Sequence, residues 1–204
     1  KADSVKTWIT AQRAEGLYTK VILPNVAADN MAVEDYATPS VTDSEGNTYT
    51  AEQFCARIAG ILASTSLTGS CTFATIPELT ACTKLSRADM DTAIDAGKLI
   101  IFWDGEKCKI ARGVTSLTTV TDTIAAYKKI RVVDIIDTIA SDIKKLCEDT
   151  YIGKYTNSYD NKMVLIGAIG DYLAEMQNQQ ILASYSVDLD IDAIKKVLDD
   201  PSDM

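Results

Sequence analysis

Between Lys129 and Gln180 the chain carries two amphipathic helical patterns separated by the short polar connector Tyr151-Ile-Gly-Lys-Tyr-Thr-Asn157, and this stretch limits the available folds more than any other. Ile130, Val133, Ile136 with Ile135 beside it, Ile139 with Ala140, Ile143 and Leu146 recur at steps of three and four, so they share one stripe of a helix. Met163, Ile166, Ile169 with Gly170, Leu173 and Met176 form a second stripe. Two stripes and a connector containing Gly153 predict an antiparallel helical hairpin over 129–180, an element that packs and does no chemistry by itself.

The chain has 204 residues, 47% of them hydrophobic, enough for one large core or two smaller domains. Its formal charge of −9 and pI of about 4.5, with the acids scattered, argue against a nucleic-acid partner and against an acidic membrane surface. No apolar run approaches the roughly 20 residues that cross a bilayer. There is no histidine, which removes Ser-His-Asp and Cys-His catalysis and His-ligated metals together. Cys55, Cys71, Cys82, Cys108 and Cys147 are odd in number and contain no Cys-x-x-Cys pair, so they read as reduced, mostly buried thiols, with no metal site and no cofactor. The first residue is Lys1 rather than Met, which suggests a fragment or processed product.

Along the chain, Asp3–Glu15 reads as a helix stopped at Gly16, and Thr19–Leu23 as a strand stopped by Pro24. Met31–Tyr36 suggests a short helix, and Pro39–Thr42 a strand before the turn Asp43–Asn47. Thr50-Ala-Glu-Gln53 is a capping box that opens a helix ending near Ser64, whose small residues Ala56, Ala59, Gly60 and Ala63 permit a neighbouring backbone to approach. Thr72–Ile76 reads as extended, and Ser86-Arg-Ala-Asp89 opens a helix closed by Gly97. Leu99–Trp103, the turn Asp104-Gly105 and Cys108–Ala111 form the clearest β-hairpin. Arg112–Thr119 is a polar junction and the best candidate for a domain boundary, with Ile124–Tyr127 beyond it. Tyr185–Ile191 alternates apolar and acidic residues like a half-buried strand, and Ile191–Leu198 turns helical before the tail Asp199–Met204.

The acidic pairs Asp134 with Asp137, Asp188 with Asp190, and Asp199 with Asp200 read as solvated faces, since no base or metal motif accompanies them. Asp188, Asp190 and Asp192 resemble the start of an EF-hand loop but lack its later glycine and glutamate. Gly153, Gly167 and Gly170 belong to no phosphate-binding motif, and helix contact explains the latter two better. Tyr151, Tyr155 and Tyr159 are either half-buried tyrosines or an aromatic contact patch. Lys128, Lys129, Arg131, Lys144 and Lys145 are either a solvated face or a docking stripe for an acidic partner.

Three stretches together resemble the contractile phage tail sheath family, which also builds R-type bacteriocins and prophage-derived injection devices. They are Ala59-Gly60 through Ser70-Cys-Thr72; Gly113-Val-Thr-Ser-Leu-Thr118; and Ile130-Arg-Val-Val-Asp-Ile-Ile136 with Tyr151-Ile-Gly-Lys154 and Asn157. The likeness covers about Asp3 to Leu182. It implies a non-enzymatic structural subunit of the virion tail, assembled in the bacterial cytoplasm. Such subunits stack in six-fold rings around a tail tube, are linked by terminal strands added to a neighbour's sheet, and contract to drive the tube through an envelope. The family's C-terminal domain faces the tube, which makes Lys144, Lys145, Lys154, Tyr151 and Tyr155 candidates for tube or neighbour contacts. Family members have a longer N-terminal portion and a final apolar strand, so the chain reads as a truncated or protease-resistant core that is monomeric and forms no tubes alone.

The expected fold is mixed α/β in two parts, an α/β unit over 1–112 and a C-terminal unit over 113–204 with the hairpin at 129–180 and a terminal strand and helix at 184–199. Alternatives are an acidic-site, metal-dependent hydrolase, which requires convergent desolvated carboxylates in a pocket, and a regulatory protein-interaction domain.

Overall fold

The computed structural model describes residues 2–120 and 125–199; Ile124 of the expected 124–127 segment and the tail Asp200–Met204 lie outside them. The chain is mixed α/β and divides into two compact units, Lys1–Ser141 and Asp142–Met204. The junction expected to separate domains at 112–113 falls inside the first unit.

The first unit starts with α1 (Ala2–Ala14), which buries Ile9 and leaves Trp8 exposed. β1 (Val21–Pro24) then pairs in parallel with β2 (Val33–Tyr36), and β2 with β6 (Lys98–Leu99), giving a parallel sheet in the order β1-β2-β6. The short helix expected at Met31–Tyr36 is therefore a central strand. All four β2 residues are buried, as a strand covered on both faces requires, and Glu34 and Asp35 hide it among apolar neighbours.

β3 (Ser40–Asp43) and β4 (Thr48–Thr50) form a hairpin, with β5 (Leu79–Cys82) on the other side of β3. Its turn is fixed by the Asp43 carboxylate, which accepts from the Glu45 and Asn47 amides at 2.9 Å each. α2 (Ala51–Ser64) follows, and the Thr50 amide donates to Gln53 Oε1 at 3.0 Å, as the capping box demands. Phe54, Ile58 and Ile61 of α2 pack with Tyr36, Val41, Leu79, Leu99, Ile101 and Ile110 in the core. The small-residue face of α2 is exposed, and nothing among the described residues lies within 4 Å of a Cβ built on Gly60.

Thr72 and Phe73 form a turn, and Ala74–Ile76 runs extended beside Cys108–Ile110, with the Ile110 amide donating to the Ala74 carbonyl and the Ile76 amide to the Cys108 carbonyl at 3.0 Å each, so the extended reading holds from Ala74 on. α3 (Arg87–Asp95) is capped by Ser86, whose Oγ accepts from the Asp89 amide at 3.2 Å. β7 (Ile101–Trp103) and β8 (Cys108–Ile110) pair around Asp104-Gly105, where Gly105 adopts φ +108°. A 3₁₀ turn (Ala125–Lys128) leads into α4 (Ile130–Leu146), and the division between units falls within this helix.

In the second unit, a π turn (Cys147–Tyr151) extends α4, and α5 (Tyr159–Asn178) and α6 (Ile191–Asp199) follow. The strand expected at Tyr185–Ile191 is absent: the segment pairs with no strand among the described residues, and the helical turn already begins at Ile191. Asp190 instead caps α6 by accepting from the Ala193 amide at 2.9 Å. Gly167 and Gly170 face open space, so close helix contact is not their role among the described residues. All five cysteines are unpaired; Cys71 and Cys108 are buried, and burial pushes their thiols up to about 11 and about 12.

Candidate interaction surface

The first two stretches that carry the family resemblance and the Ile130–Ile136 part of the third meet in the first unit. Thr72 Oγ1 accepts from the Gly113 amide at 3.0 Å, and the Gly113 carbonyl accepts from the Ile130 amide at 3.2 Å. A Cβ on Gly113 would stand 2.6 Å from Cys71 Sγ, so any larger residue there displaces a buried thiol. Thr115 and Ser116 are fully buried: the Thr115 amide donates to the Lys128 carbonyl at 2.9 Å and the Ser116 amide to the Val33 carbonyl at 2.8 Å. Beyond them, Asp29 accepts from the Thr118 and Thr119 amides at 2.7 and 2.9 Å, which lowers its carboxyl pKa. The polar junction is thus an internal clasp: the 29–33 segment satisfies Ser116, Thr118 and Thr119, Thr72 satisfies the Gly113 amide, and the 127–128 carbonyls satisfy Thr115.

Along α4, Arg131 donates to the Leu67 carbonyl at 3.0 Å, Asp134 pairs with Lys20, and Asp137 accepts both guanidinium nitrogens of Arg13 at 2.6 and 2.7 Å. The solvated-face reading of Asp134 and Asp137 is corrected by these pairs, since Asp137 is 8% exposed. Their counter-charges rotate the buried face away from the plain apolar stripe, so Ile135 is buried and Ile136 is 39% exposed.

Lys20 also lies 3.4 Å from Glu34 Oε1, too poorly directed for a hydrogen bond, and both Glu34 oxygens are buried without one. Burial raises the Glu34 pKa to about 7 against the attraction of Lys20. Burial lowers the Lys20 pKa, but Glu34 and Asp134 outweigh it and hold the amine above its ordinary value. The convergent carboxylates that a hydrolase needs are therefore clamped on a resident ammonium.

The five candidate contact residues lie in the second unit. Lys144 and Lys145 are exposed on the last turn of α4, with Lys144 at 4.0 Å from Glu148, a weak solvated pair. Gly153 adopts φ +75° and reverses the chain after the π turn, and the Lys154 amine donates to the Asp149 carbonyl. Tyr151 and Tyr155 stack at 5.5 Å between centroids and a 39° tilt, with Tyr151 half-buried and Tyr155 exposed. Ser158 caps α5 by accepting from the Asn161 amide at 3.3 Å.

The aromatic-patch reading of the sequence includes Tyr159 but not Ile152, Met163 and Val164, which join it at the surface. Ile152 and Tyr159 are each 68% exposed, Val164 59% and Met163 42%, although Met163 was assigned to the buried stripe. The signal was available in Tyr159 and Met163, which are four apart and continue the aromatic run of the connector. With Glu148, Asp149 and Asp160 among the lysines, the patch is apolar with mixed charge rather than basic.

Residues 122–201 match the family model described as phage tail sheath C-terminal domain. The chain is 36% identical over 198 residues to a tail sheath protein of Clostridium phage phiCD119, covering 96% of this chain and 55% of that relative. Among solved structures, its fold is similar to a sheath tail protein of Desulfitobacterium hafniense, with a TM-score of 0.81, 22% identity, and coverage of 87% of this chain and 42% of that one. It is also similar to the helical sheath of the anti-feeding prophage in the contracted state, with a TM-score of 0.68, 15% identity, and coverage of 86% of this chain and 50% of that one. The chain is similar to phage tail sheath proteins over almost its whole length, with the sheath C-terminal domain matched at 122–201, and it spans about half the length of the relatives it matches.

Proposed function

We propose that the chain is the core of a tail sheath subunit that assembles with copies of itself around a tail tube as a component of the virion tail. Contraction of that assembly drives the tube through a target envelope. The observation that carries this reading is the 36% identity to a tail sheath protein across almost the whole chain. The exposed connector patch gives the assembly a surface, with Ile152 and Tyr155 as apolar anchors beside Tyr151 and with Lys144, Lys145 and Lys154 at its rim, fixing register against a neighbour or the tube.

The test uses the full-length subunit, in negative-stain electron microscopy and in co-sedimentation with its tube protein. The unaltered subunit forms sheath-like polymer. The Ile152→Glu/Tyr155→Glu variant keeps its circular dichroism spectrum and thermal midpoint, because both side chains are exposed, but fails to polymerise or to bind tube. A wild-type subunit that never polymerises sinks the sheath reading; a variant that polymerises normally sinks only the surface assignment.

A further inference from the structure

A groove of about 510 Å³ in the first unit lies apart from the connector surface and the Lys20–Glu34 pair. Phe73, Phe102, Met90 and Ile94 make its apolar lining, and Arg87 and Arg112 contribute its guanidinium groups.

Phe73 is the unusual member. The Cys71–Ala74 turn closes by the Ala74 amide donating to the Cys71 carbonyl at 3.0 Å, and Phe73 takes its third position at φ +60°. That position ordinarily holds glycine or asparagine, because a bulky side chain is strained there. The ring gains little burial in return: it is 63% exposed and touches Phe102 edge-on at 5.9 Å between centroids. A strained residue that presents an exposed aromatic ring over a groove points to a ligand. Both arginines are exposed, and among the described residues neither guanidinium has an ion-pair or hydrogen-bond partner. Asp91, also at the groove, lies beyond ion-pair distance of either.

An aromatic floor with two unpaired guanidiniums selects an acidic peptide that carries an aromatic or aliphatic anchor. The chain itself holds such a segment. Tyr185-Ser-Val-Asp-Leu-Asp190 has two acids, no base and a period-two apolar pattern, yet pairs with no strand among the described residues. Tyr185 and Asp188 are exposed in it. We propose that the Phe73–Phe102 groove docks the Tyr185–Asp190 segment of a second copy, with Tyr185 seated on the aromatic floor and Asp188 and Asp190 meeting Arg87 and Arg112. This docking uses side chains in a groove and no free sheet edge. It is independent of the sheath reading, since a sheath subunit that leaves the groove empty still polymerises through other surfaces.

The test is fluorescence anisotropy of a labelled synthetic peptide, residues 183–190, titrated with the 204-residue chain. Saturable binding is expected, weakening with salt. The Arg87→Glu/Arg112→Glu protein should lose about tenfold or more in affinity, and a peptide carrying Asp188→Lys and Asp190→Lys should regain binding to that protein. Phe73→Gly should also weaken binding while keeping the fold, because glycine relieves the positive φ. No saturable binding below about 1 mM, or equal binding to the charge-reversed protein, overturns the proposal.

Discussion

Glu34 offers the sharpest quantitative test of the first unit. Its carboxyl group is 1% exposed, lies in the centre of the parallel sheet, and has one cation 3.4 Å away. The rise of its pKa from 4.5 to about 7 means that the folded state binds its proton more tightly than the unfolded chain does. A raised folded-state pKa contributes stability that is fully present below 4.5 and is lost as pH rises through about 7. At about 1.4 kcal/mol for each tenfold change in proton affinity, the loss between pH 4.5 and pH 8 is about 3 kcal/mol. Few other side chains blur this window, because the chain has no histidine and burial moves its buried thiols upward. Asp35 is the other carboxyl group raised by burial among the described residues, so the effect of Glu34 is isolated by difference. The perturbation is Glu34→Gln, which keeps the shape and removes the titration. Urea unfolding followed by circular dichroism at pH 5, 6, 7 and 8 should show the variant gaining on the wild type by about 2.5 kcal/mol across the series, whatever constant offset the amide introduces. Parallel pH profiles for the two proteins would refute the argument, since they mean that Glu34 is ionised at little expense in the folded state.

The remaining expectations concern packing. Arg13→Ala leaves the Asp137 carboxylate buried without its bidentate partner and should destabilise by about 3 kcal/mol in urea titrations, with Arg13→Lys recovering only part of the loss. Gly97 adopts φ +74° and a Cβ there would meet the Thr115 carbonyl oxygen at 2.9 Å, so Gly97→Ala should lower the thermal midpoint by an amount equivalent to about 2 kcal/mol or more. Lys20→Met strips Glu34 and Asp134 of their shared cation, and its penalty should be larger at pH 8 than at pH 5, whereas a purely apolar packing defect costs the same at both.

Much of the local structure was legible because it rests on short-range chemistry. Asp104-Gly105 announced the β7–β8 turn, Thr50 and Gln53 the start of α2, and Ser86 with Gly97 the two ends of α3. β2 was illegible because its identity is tertiary: Val-Glu-Asp-Tyr becomes a central strand only when Lys20 reaches Glu34 and the Val26 amide donates to Asp35 at 2.7 Å. Polarity misled in the same way at Thr115 and Ser116, whose hydroxyls read as a solvent-facing junction but donate to the Tyr127 and Asn30 carbonyls inside the unit. At the connector the error ran the other way. Period alone assigned Met163 to a buried stripe, and period cannot say how far along a helix its cover extends.

These errors separate two kinds of residue within the stretches that carry the family resemblance. Thr72, Gly113, Ile130, Arg131 and Asp134 spend their hydrogen bonds and charges on one another or on Leu67 and Lys20, inside a single unit. Their pattern therefore specifies how the subunit folds, and a change there should act on assembly only through lost stability. Tyr151-Ile-Gly-Lys154 differs in kind. Gly153 sets the reversal, but Ile152 and the neighbouring Tyr155 and Tyr159 keep most of their surface in solvent, where intramolecular packing gives no reason for apolar side chains. Within one signature, then, the α4 segment is explained by the isolated chain and the connector is not, so substitutions in the two should part company when unfolding and polymerisation are measured on the same variants.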